Sequence, residues 1–268
     1  MRAGFNWAVV VFSAVVVGLA AVPMLRVKPT ARQIREQLLS ELQPVTLSNC
    51  TLRRVGSAND GGYLMCANLL GRVRSAYSYG IGPADDWGCQ ISATLGVPLH
   101  QYDCFSPPLS DCPNGLSVFH DECIGPRTET IDKKPFDTLL RQIERNGDTG
   151  KTLVMKIDIE GAELASLSAA PTSVLNRIDQ LAMEIHGTDE RYLQLVRRLK
   201  THFHLVHVHY NNQACSIRYR PLPAWAYQVL FVHKRIGLVD PSSPPPALPH
   251  ALDAPDYAEG RDCQGAGR

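Results

Sequence analysis

The sequence lacks blocks of like charge. Its 268 residues include 27 Lys and Arg against 26 Asp and Glu, so the net charge is +1, and the basic residues are scattered. This pattern predicts neither a basic stripe for nucleic acid nor an acidic, solvating tail. We therefore expect no nucleic-acid partner. The length suits one large domain or two small ones.

The sequence also lacks any C-x-x-C pair, although it contains eight cysteines. The spacing of a zinc ribbon is therefore absent, and a structural zinc is not predicted. Six of the cysteines lie between Cys50 and Cys123, a density more usual where disulfides persist than in the cytosol. The pattern predicts a disulfide-containing protein of the secretory pathway or the cell exterior.

Charged side chains are missing from residues 7–25, and basic residues flank this run on both sides. Its length is enough to span a bilayer, while small residues near its end would also suit a cleaved signal peptide. The apolar run exceeds the usual signal core, so we favour an uncleaved membrane anchor over residues 1–28. The N-glycosylation sequon at Asn49 agrees with a lumenal position for the rest of the chain.

The remaining sequence predicts an α/β protein. Residues 29–50 contain a helical stem, and an Asn-Asp-Gly-Gly turn at 59–62 predicts a β-hairpin whose outer ends, Cys50 and Cys66, are a candidate disulfide pair. Strands are predicted at 76–81, 99–105, 116–120, 153–159, 180–185, 205–210 and 227–233, and helices near 85–95, 136–145, 162–167 and 190–201. This alternation predicts one domain over 51–236, with a mainly parallel sheet, helices on both faces and an antiparallel pair at the end. Residues 237–268, rich in Pro, Gly and Ala, predict a disordered tail.

The stretch 153–163, LVMKIDIEGAE, combines a buried strand with an acidic end. Ligands of open α/β sheets bind outside the carboxyl ends of the strands, so Asp158 and Glu160 are candidate functional residues. The alternative is that these acids favour the N-terminus of the following helix. Lys156 precedes Asp158 by two residues and is expected to form an ion pair with it.

A second candidate site follows the first sheet strand, at Tyr79-Gly80-Ile81-Gly82. Glycines at a strand-to-helix turn let the backbone approach a ligand closely. Where the dinucleotide fingerprint requires a third glycine the sequence has Asp85, which disfavours a pyrophosphate and hence a nicotinamide-dependent oxidoreductase. Asp103, 21 residues after Gly82 at the end of the next strand, suits a ribose-hydroxyl ligand; the alternative is a turn-forming aspartate.

The order of several motifs is similar to that of a known family. RVGSANDGGYLMC (54–66), YSYGIGPADDW (77–87), HQYD (100–103), KIDIEGAE (156–163), MEIHG (183–187), HVHYNN (207–212) and AYQVLFVHK (226–234) resemble the methyltransferase-like proteins related to FkbM-type S-adenosylmethionine-dependent methyltransferases. The resemblance covers about residues 54–234. It implies a Rossmann-like seven-strand sheet, with Tyr79, Gly80, Ile81, Gly82, Asp103 and Asp158 around S-adenosylmethionine.

The resemblance also implies O-methylation of a sugar or another small polar acceptor, and leaves the acceptor itself open. A hydroxyl acceptor benefits from a general base, for which Asp158 and His186 are the candidates. His186 has an alternative role as a hydrogen-bonding residue in a buried turn. A function of another class is also open, that of a non-catalytic lumenal binding protein that keeps the fold.

A divalent ion is a further alternative. His207, His209 and Asn211 share one face of a predicted strand, and with the acidic strand ends and His186 they offer nitrogen and oxygen donors. Imidazoles on strands are more often exposed or hydrogen-bonded, so the sequence by itself predicts no metal site.

Overall fold

The computed structural model describes residues 28–109 and 112–263. The predicted anchor at residues 1–28 lies almost entirely outside this part of the chain. Among the described residues no helix is both long and apolar enough to cross a membrane.

Helices and strands alternate along the described chain. The helices are α1 Ala31–Glu41, α2 Asp86–Leu95, α3 Leu139–Arg145, α4 Glu163–Ala169, α5 Thr172–Leu175 and α6 Glu190–His202. The strands are β1 Leu52–Val55, β2 Tyr63–Cys66, β3 Ser75–Tyr79, β4 Pro98–Tyr102, β5 Leu116–His120, β6 Cys123–Ile124, β7 Glu129–Ile131, β8 Lys134–Asp137, β9 Leu153–Ile157, β10 Ile178–His186, β11 Phe203–Tyr210 and β12 Ala226–His233.

Seven strands form the central sheet in the order β11-β12-β10-β9-β3-β4-β5. All are parallel except β12, which pairs antiparallel with both β10 and β11. The seven predicted strands and the antiparallel pair at the end are confirmed. The chain turns from one half of the sheet to the other between β3 and β9, and such a switch point opens a crevice at the carboxyl ends of the strands.

The two faces of the sheet carry separate cores, because side chains alternate along each strand. On β9, Leu153, Met155 and Ile157 pack with residues of α1, α3, α4, α5 and α6. On the other face, Val154 packs with α2 and with the β1–β2 hairpin. The sheet is therefore covered on both sides, as the strand–helix alternation predicts. Helix α1 belongs to this packing, since Leu38 is fully buried.

All eight cysteines are paired in disulfides, at Cys50–Cys66, Cys89–Cys112, Cys104–Cys123 and Cys215–Cys263. The first pair joins the outer ends of the hairpin and confirms the candidate pairing. Four disulfides fit an oxidising environment, secretory or extracellular.

The segment between β5 and α3 differs from the prediction. The predicted helix near 136–145 begins only at Leu139, with the Thr138 side chain as its N-cap, because residues 134–137 form β8. Strands β6, β7 and β8 make a small sheet of their own. Each is only two to four residues long, too short to give a periodic pattern in the sequence.

Residues 240–263, which lie within the predicted disordered tail, contact the rest of the domain. His207 Nε2 lies 2.8 Å from Asp253 Oδ1, and Gln228 donates a 2.8 Å hydrogen bond to Asp256. The Cys215–Cys263 disulfide fixes the end of the segment. The segment is held by polar contacts and a disulfide rather than by large apolar side chains, and composition does not record such contacts.

Candidate functional site

A cavity of about 610 Å³ opens at the carboxyl ends of the central strands. It lies beside the switch point between β3 and β9. The lining residues are Asp60, Gly61, Gly80, Ile81, Gly82, Pro83, Ala84, Asp85, Asp86, Tyr102, Asp103, Cys104, Phe105, Ser106, Glu122, Cys123, Ile124, Phe136, Lys156, Asp158, Ile159, Glu160 and Ala162. The structure thus brings three predicted strand ends, at Gly80–Gly82, Asp103 and Asp158, to one cavity, which we call the acidic cavity.

The glycine turn lines the acidic cavity with backbone. Gly80 and Gly82 have positive φ angles of 71° and 56°, a left-handed conformation that glycine adopts without steric cost. Tyr79 differs from its predicted place at the ligand, because its side chain is fully buried in the core. Its carbonyl accepts the Asp158 N–H at 3.1 Å, so Tyr79 holds two strand ends together.

Asp103 ties its strand end to the glycine turn. One carboxylate oxygen accepts the Gly82 N–H at 3.1 Å, and the other accepts the N–H groups of Phe105 and Ser106 at 2.8 and 2.9 Å. The contacts with Phe105 and Ser106 are those of a turn-forming aspartate, so the alternative role considered for Asp103 from the sequence describes part of what it does. The contact with Gly82 places Oδ2 on the cavity side, where it keeps a lone pair for a further donor.

Carboxylates dominate the charge of the acidic cavity. Seven acidic residues line it, namely Asp60, Asp85, Asp86, Asp103, Glu122, Asp158 and Glu160, against the single lysine Lys156. Lys156 donates to the Gly80 carbonyl at 2.6 Å and lies 3.5 Å from Asp158 Oδ2, which confirms the expected ion pair. The excess of negative charge disfavours phosphate and complements a cationic ligand.

The hairpin reaches over the strand ends and positions Asp158. The buried Tyr63 hydroxyl donates a 2.9 Å hydrogen bond to Asp158 Oδ2. Because Lys156 contacts the same oxygen, Oδ1 is left facing the end of β10. Tyr63 and Lys156 therefore fix Asp158 Oδ2, while Oδ1 remains accessible to another group.

His186 lies on the side of Asp158 Oδ1, surrounded by carboxylates. Its Nε2 is 3.4 Å from Glu160 Oε2, 3.7 Å from Glu184 Oε2 and 3.9 Å from Asp158 Oδ1. Its Nδ1 faces Glu163 Oε1 at 3.5 Å, and the same oxygen accepts the His186 backbone N–H at 2.8 Å. We call these five residues the carboxylate–imidazole cluster.

The cluster shifts the pKa values of its members. Burial lowers the pKa of His186, but the surrounding carboxylates, Glu163 foremost, outweigh burial and raise that pKa to about 9. Burial and the charge of Asp158 raise the pKa of Glu184 to about 8. At neutral pH the imidazole of the unliganded protein therefore holds its proton, and the predicted role of His186 as a general base requires that proton to leave first.

The other predicted imidazoles lie elsewhere. His207 and His209 contact Asp253 and Asp262 of the C-terminal segment, at 2.8 and 3.2 Å. They therefore do not join Asp158 and His186, and the larger donor set considered from the sequence does not form. Asn211 does reach the cluster, where it donates a 2.7 Å hydrogen bond to Glu184.

Three residues at the site escape sequence reasoning. Tyr63 acts across 95 positions of the chain, and no local pattern marks that contact. Glu163 stands in the acidic motif but fits equally well as a helix-start residue. Trp225 is 39% exposed, and its ring lies 6.1 Å from that of His186; an isolated aromatic residue in a Pro-rich loop was the only signal.

Comparison with known proteins shows no family for this chain. The sequence matches no protein-family model, and no curated protein is significantly similar to it.

Proposed function

We propose that the protein is an S-adenosylmethionine-dependent methyltransferase that acts on a hydroxyl group of a sugar or another small polar acceptor. The observation that carries the proposal is the convergence of the Gly80–Gly82 turn, Asp103 and Asp158 on one acidic cavity. The order of the central sheet supports it, since it is compatible with the Rossmann-like methyltransferase sheet that the motif resemblance implies.

The acidic cavity suits a nucleoside that carries a positive charge. Its volume lies in the range of small-molecule sites, roughly 300–1,000 Å³. Asp103 Oδ2 can accept a ribose hydroxyl, and the apolar side chains of Ile81, Ile124 and Phe136 offer a wall for a base. The carboxylates complement a sulfonium group, whereas the pyrophosphate of a nicotinamide dinucleotide would meet like charge.

Methyl transfer from a sulfonium is an in-line displacement, so positioning of the two reactants supplies much of the acceleration. The rigid strand ends provide that positioning. The acceptor hydroxyl must lose its proton, and Asp158 Oδ1 faces the cluster without a hydrogen bond of its own among the described residues. Asp158 is therefore the base that we favour, with His186 supplying positive charge beside it.

The surroundings of the cluster support a sugar acceptor. Trp225 exposes part of its indole ring next to His186, and partly exposed aromatic rings that carry a polar group suit ligands with one apolar and one polar face. A sugar ring has such faces. The oxidising environment that the disulfides require is also where secreted and cell-surface glycans are found, and we propose that residues 1–28 tether the domain there.

Calorimetry with S-adenosylhomocysteine tests the proposal on the full chain with its disulfides formed. We expect saturable binding of one molecule per chain, a rise in melting temperature, and no competition from NADH. The absence of both heat and thermal shift would contradict the proposal and favour the non-catalytic binding protein.

A further inference from the structure

Three donor atoms converge at the edge of the acidic cavity, namely Asp158 Oδ1, Glu160 Oε2 and His186 Nε2. All three lie within 4.8 Å of one another, and Nε2 is 3.4 Å from the Glu160 oxygen and 3.9 Å from the Asp158 oxygen. Ligands at about 2.1 Å from a metal stand roughly 3.0–3.4 Å apart. Glu160, whose side chain is 84% exposed, can rotate toward the other two atoms, and the 3.9 Å between Asp158 and His186 has to shorten by about 0.5 Å to reach ligand spacing.

The imidazole of His186 points independently to a ligand. Its side chain is only 6% exposed; among the described residues Nδ1 lacks a hydrogen-bond partner of good geometry, and Nε2 lies 3.4 Å or more from the carboxylate oxygens around it. Buried polar groups normally have partners. The Nε2 atom is aimed between the carboxylates at distances longer than a well-formed hydrogen bond, which leaves room for an atom between them.

The neighbours of the three donors hold them in place. Tyr63 and Lys156 contact Asp158 Oδ2, so that Oδ1 remains for a ligand. Behind His186, the fully buried Glu163 faces Nδ1 at 3.5 Å. Histidines that bind metals commonly turn their other ring nitrogen toward a carboxylate, which fixes the tautomer and the ring orientation.

We propose that Asp158, Glu160 and His186 bind a divalent cation. Carboxylates suit Mg²⁺, Ca²⁺ and Mn²⁺, while imidazole suits Zn²⁺, Fe²⁺ and related ions. Mn²⁺ accepts both kinds of ligand and is the ion that we expect this mixed set to bind.

The position of the cation suggests that it binds the methyl acceptor, an inference that rests on the proposed function. Asp158 and Glu160 also line the acidic cavity, so the cation would stand where the acceptor meets the cofactor. A bound divalent ion orients an oxygen ligand and lowers its pKa. With the cation bound, its charge would replace that of the His186 imidazolium, and it would hold the acceptor hydroxyl and lower its pKa where Asp158 otherwise serves as the base.

Titration of the full chain with MnCl₂, followed by the electron paramagnetic resonance signal of free Mn²⁺, tests the site directly. We expect one Mn²⁺ bound per chain, with affinity at least about tenfold lower in Glu160→Gln and His186→Gln. Glu144→Gln, which changes an exposed glutamate that does not line the cavity, should bind like the unaltered protein. Because Glu160 is exposed, its variant keeps the test valid if His186→Gln fails to fold.

Two results would overturn the proposal. If the folded protein binds no Mn²⁺ at millimolar concentration, the cluster holds no metal, and the protonated His186 side chain supplies its positive charge. If Glu160→Gln binds Mn²⁺ as tightly as the unaltered chain, the ion lies elsewhere. Both results are independent of S-adenosylhomocysteine binding, so failure of the cation site and failure of the methyltransferase proposal are distinguishable.

Discussion

Gly80 packs so closely against Asp158 that a β-carbon on Gly80 would overlap the main-chain carbonyl of Asp158. Gly82 shares the positive φ of Gly80, yet a β-carbon there would meet open space. The two glycines of one short motif therefore answer different requirements. Gly80 allows two strand ends to meet, whereas Gly82 only allows the turn.

This difference predicts unequal effects of alanine. Gly80→Ala forces the β3 and β9 ends apart, so we expect a large fall in melting temperature and loss of S-adenosylhomocysteine binding. Gly82→Ala adds only the left-handed strain, about 1–2 kcal/mol. Thermal unfolding of both variants checks the comparison, and equal melting temperatures would contradict it.

Asp103 is expected to be essential for cofactor affinity. Asp103→Ala removes the acceptor for a ribose hydroxyl and also the contacts with Gly82, Phe105 and Ser106, so both affinity and stability should fall. Asp103→Asn keeps an oxygen that can accept the Phe105 and Ser106 N–H groups, but it loses the charge and turns an NH₂ donor toward the Gly82 N–H. Stability should therefore fall less than in Asp103→Ala, while affinity falls at least tenfold.

Calorimetry with S-adenosylhomocysteine, paired with thermal unfolding, separates the two effects of Asp103. The exposed Asp121 is a matched control, since Asp121→Asn makes the same chemical change outside the cavity lining. Unchanged affinity in Asp103→Asn would reduce Asp103 to a turn-forming residue.

Asp256 should make stability depend on pH. Burial, with Asp60 nearby, raises its pKa to about 6, whereas an unfolded chain has a value of about 3.9. The folded state therefore favours the protonated carboxyl. The stability that this preference contributes is fully present below pH 4 and is lost as pH rises through 6. The side chain is buried, and Oδ2 has no partner among the described residues.

Replacement of the Asp256 carboxyl tests whether stability falls, as expected, when pH rises. Asp256→Asn can still accept the hydrogen bond from Gln228 and carries no charge, so it should be more stable at pH 7.5 by on the order of 2 kcal/mol. That corresponds to a rise in melting temperature of about 4–8 °C. The gain should fade toward pH 4, and a variant that is less stable at pH 7.5 would show that the ionised form is favoured.

Trp225 is expected to contribute to acceptor binding without touching the cofactor. Trp225→Ala should weaken binding of a simple methyl glycoside about tenfold, because the exposed ring face is lost, while Trp225→Phe keeps most of the affinity. A competition assay against acceptor-dependent release of S-adenosylhomocysteine measures this. Equal affinities in Trp225→Ala and the unaltered protein would remove Trp225 from the acceptor site.

Much of the fold can be predicted from the sequence because its central strands are short, mainly apolar or alternating segments that turns and helices separate. The acidic end of β9 and the glycine turn after β3 are likewise visible, since their chemistry is local. Contacts between segments that are distant along the chain cannot be predicted in this way. The bond from Tyr63 to Asp158, the small sheet of β6 to β8 and the polar attachment of residues 240–263 depend on partners far along the chain, which no periodicity records.

The Cys104–Cys123 disulfide joins the segment after β4 to strand β6, and both cysteines lie on the wall of the acidic cavity. Oxidation thus completes the binding surface itself, in addition to stabilising the chain. Protein folded in a reducing cytosol would lack this disulfide, and we expect it to bind the proposed cofactor poorly even with every side chain intact. The affinity for the proposed cofactor can consequently be used to measure whether this disulfide has formed. Secretion into an oxidising lumen is the way to produce protein that contains the disulfide.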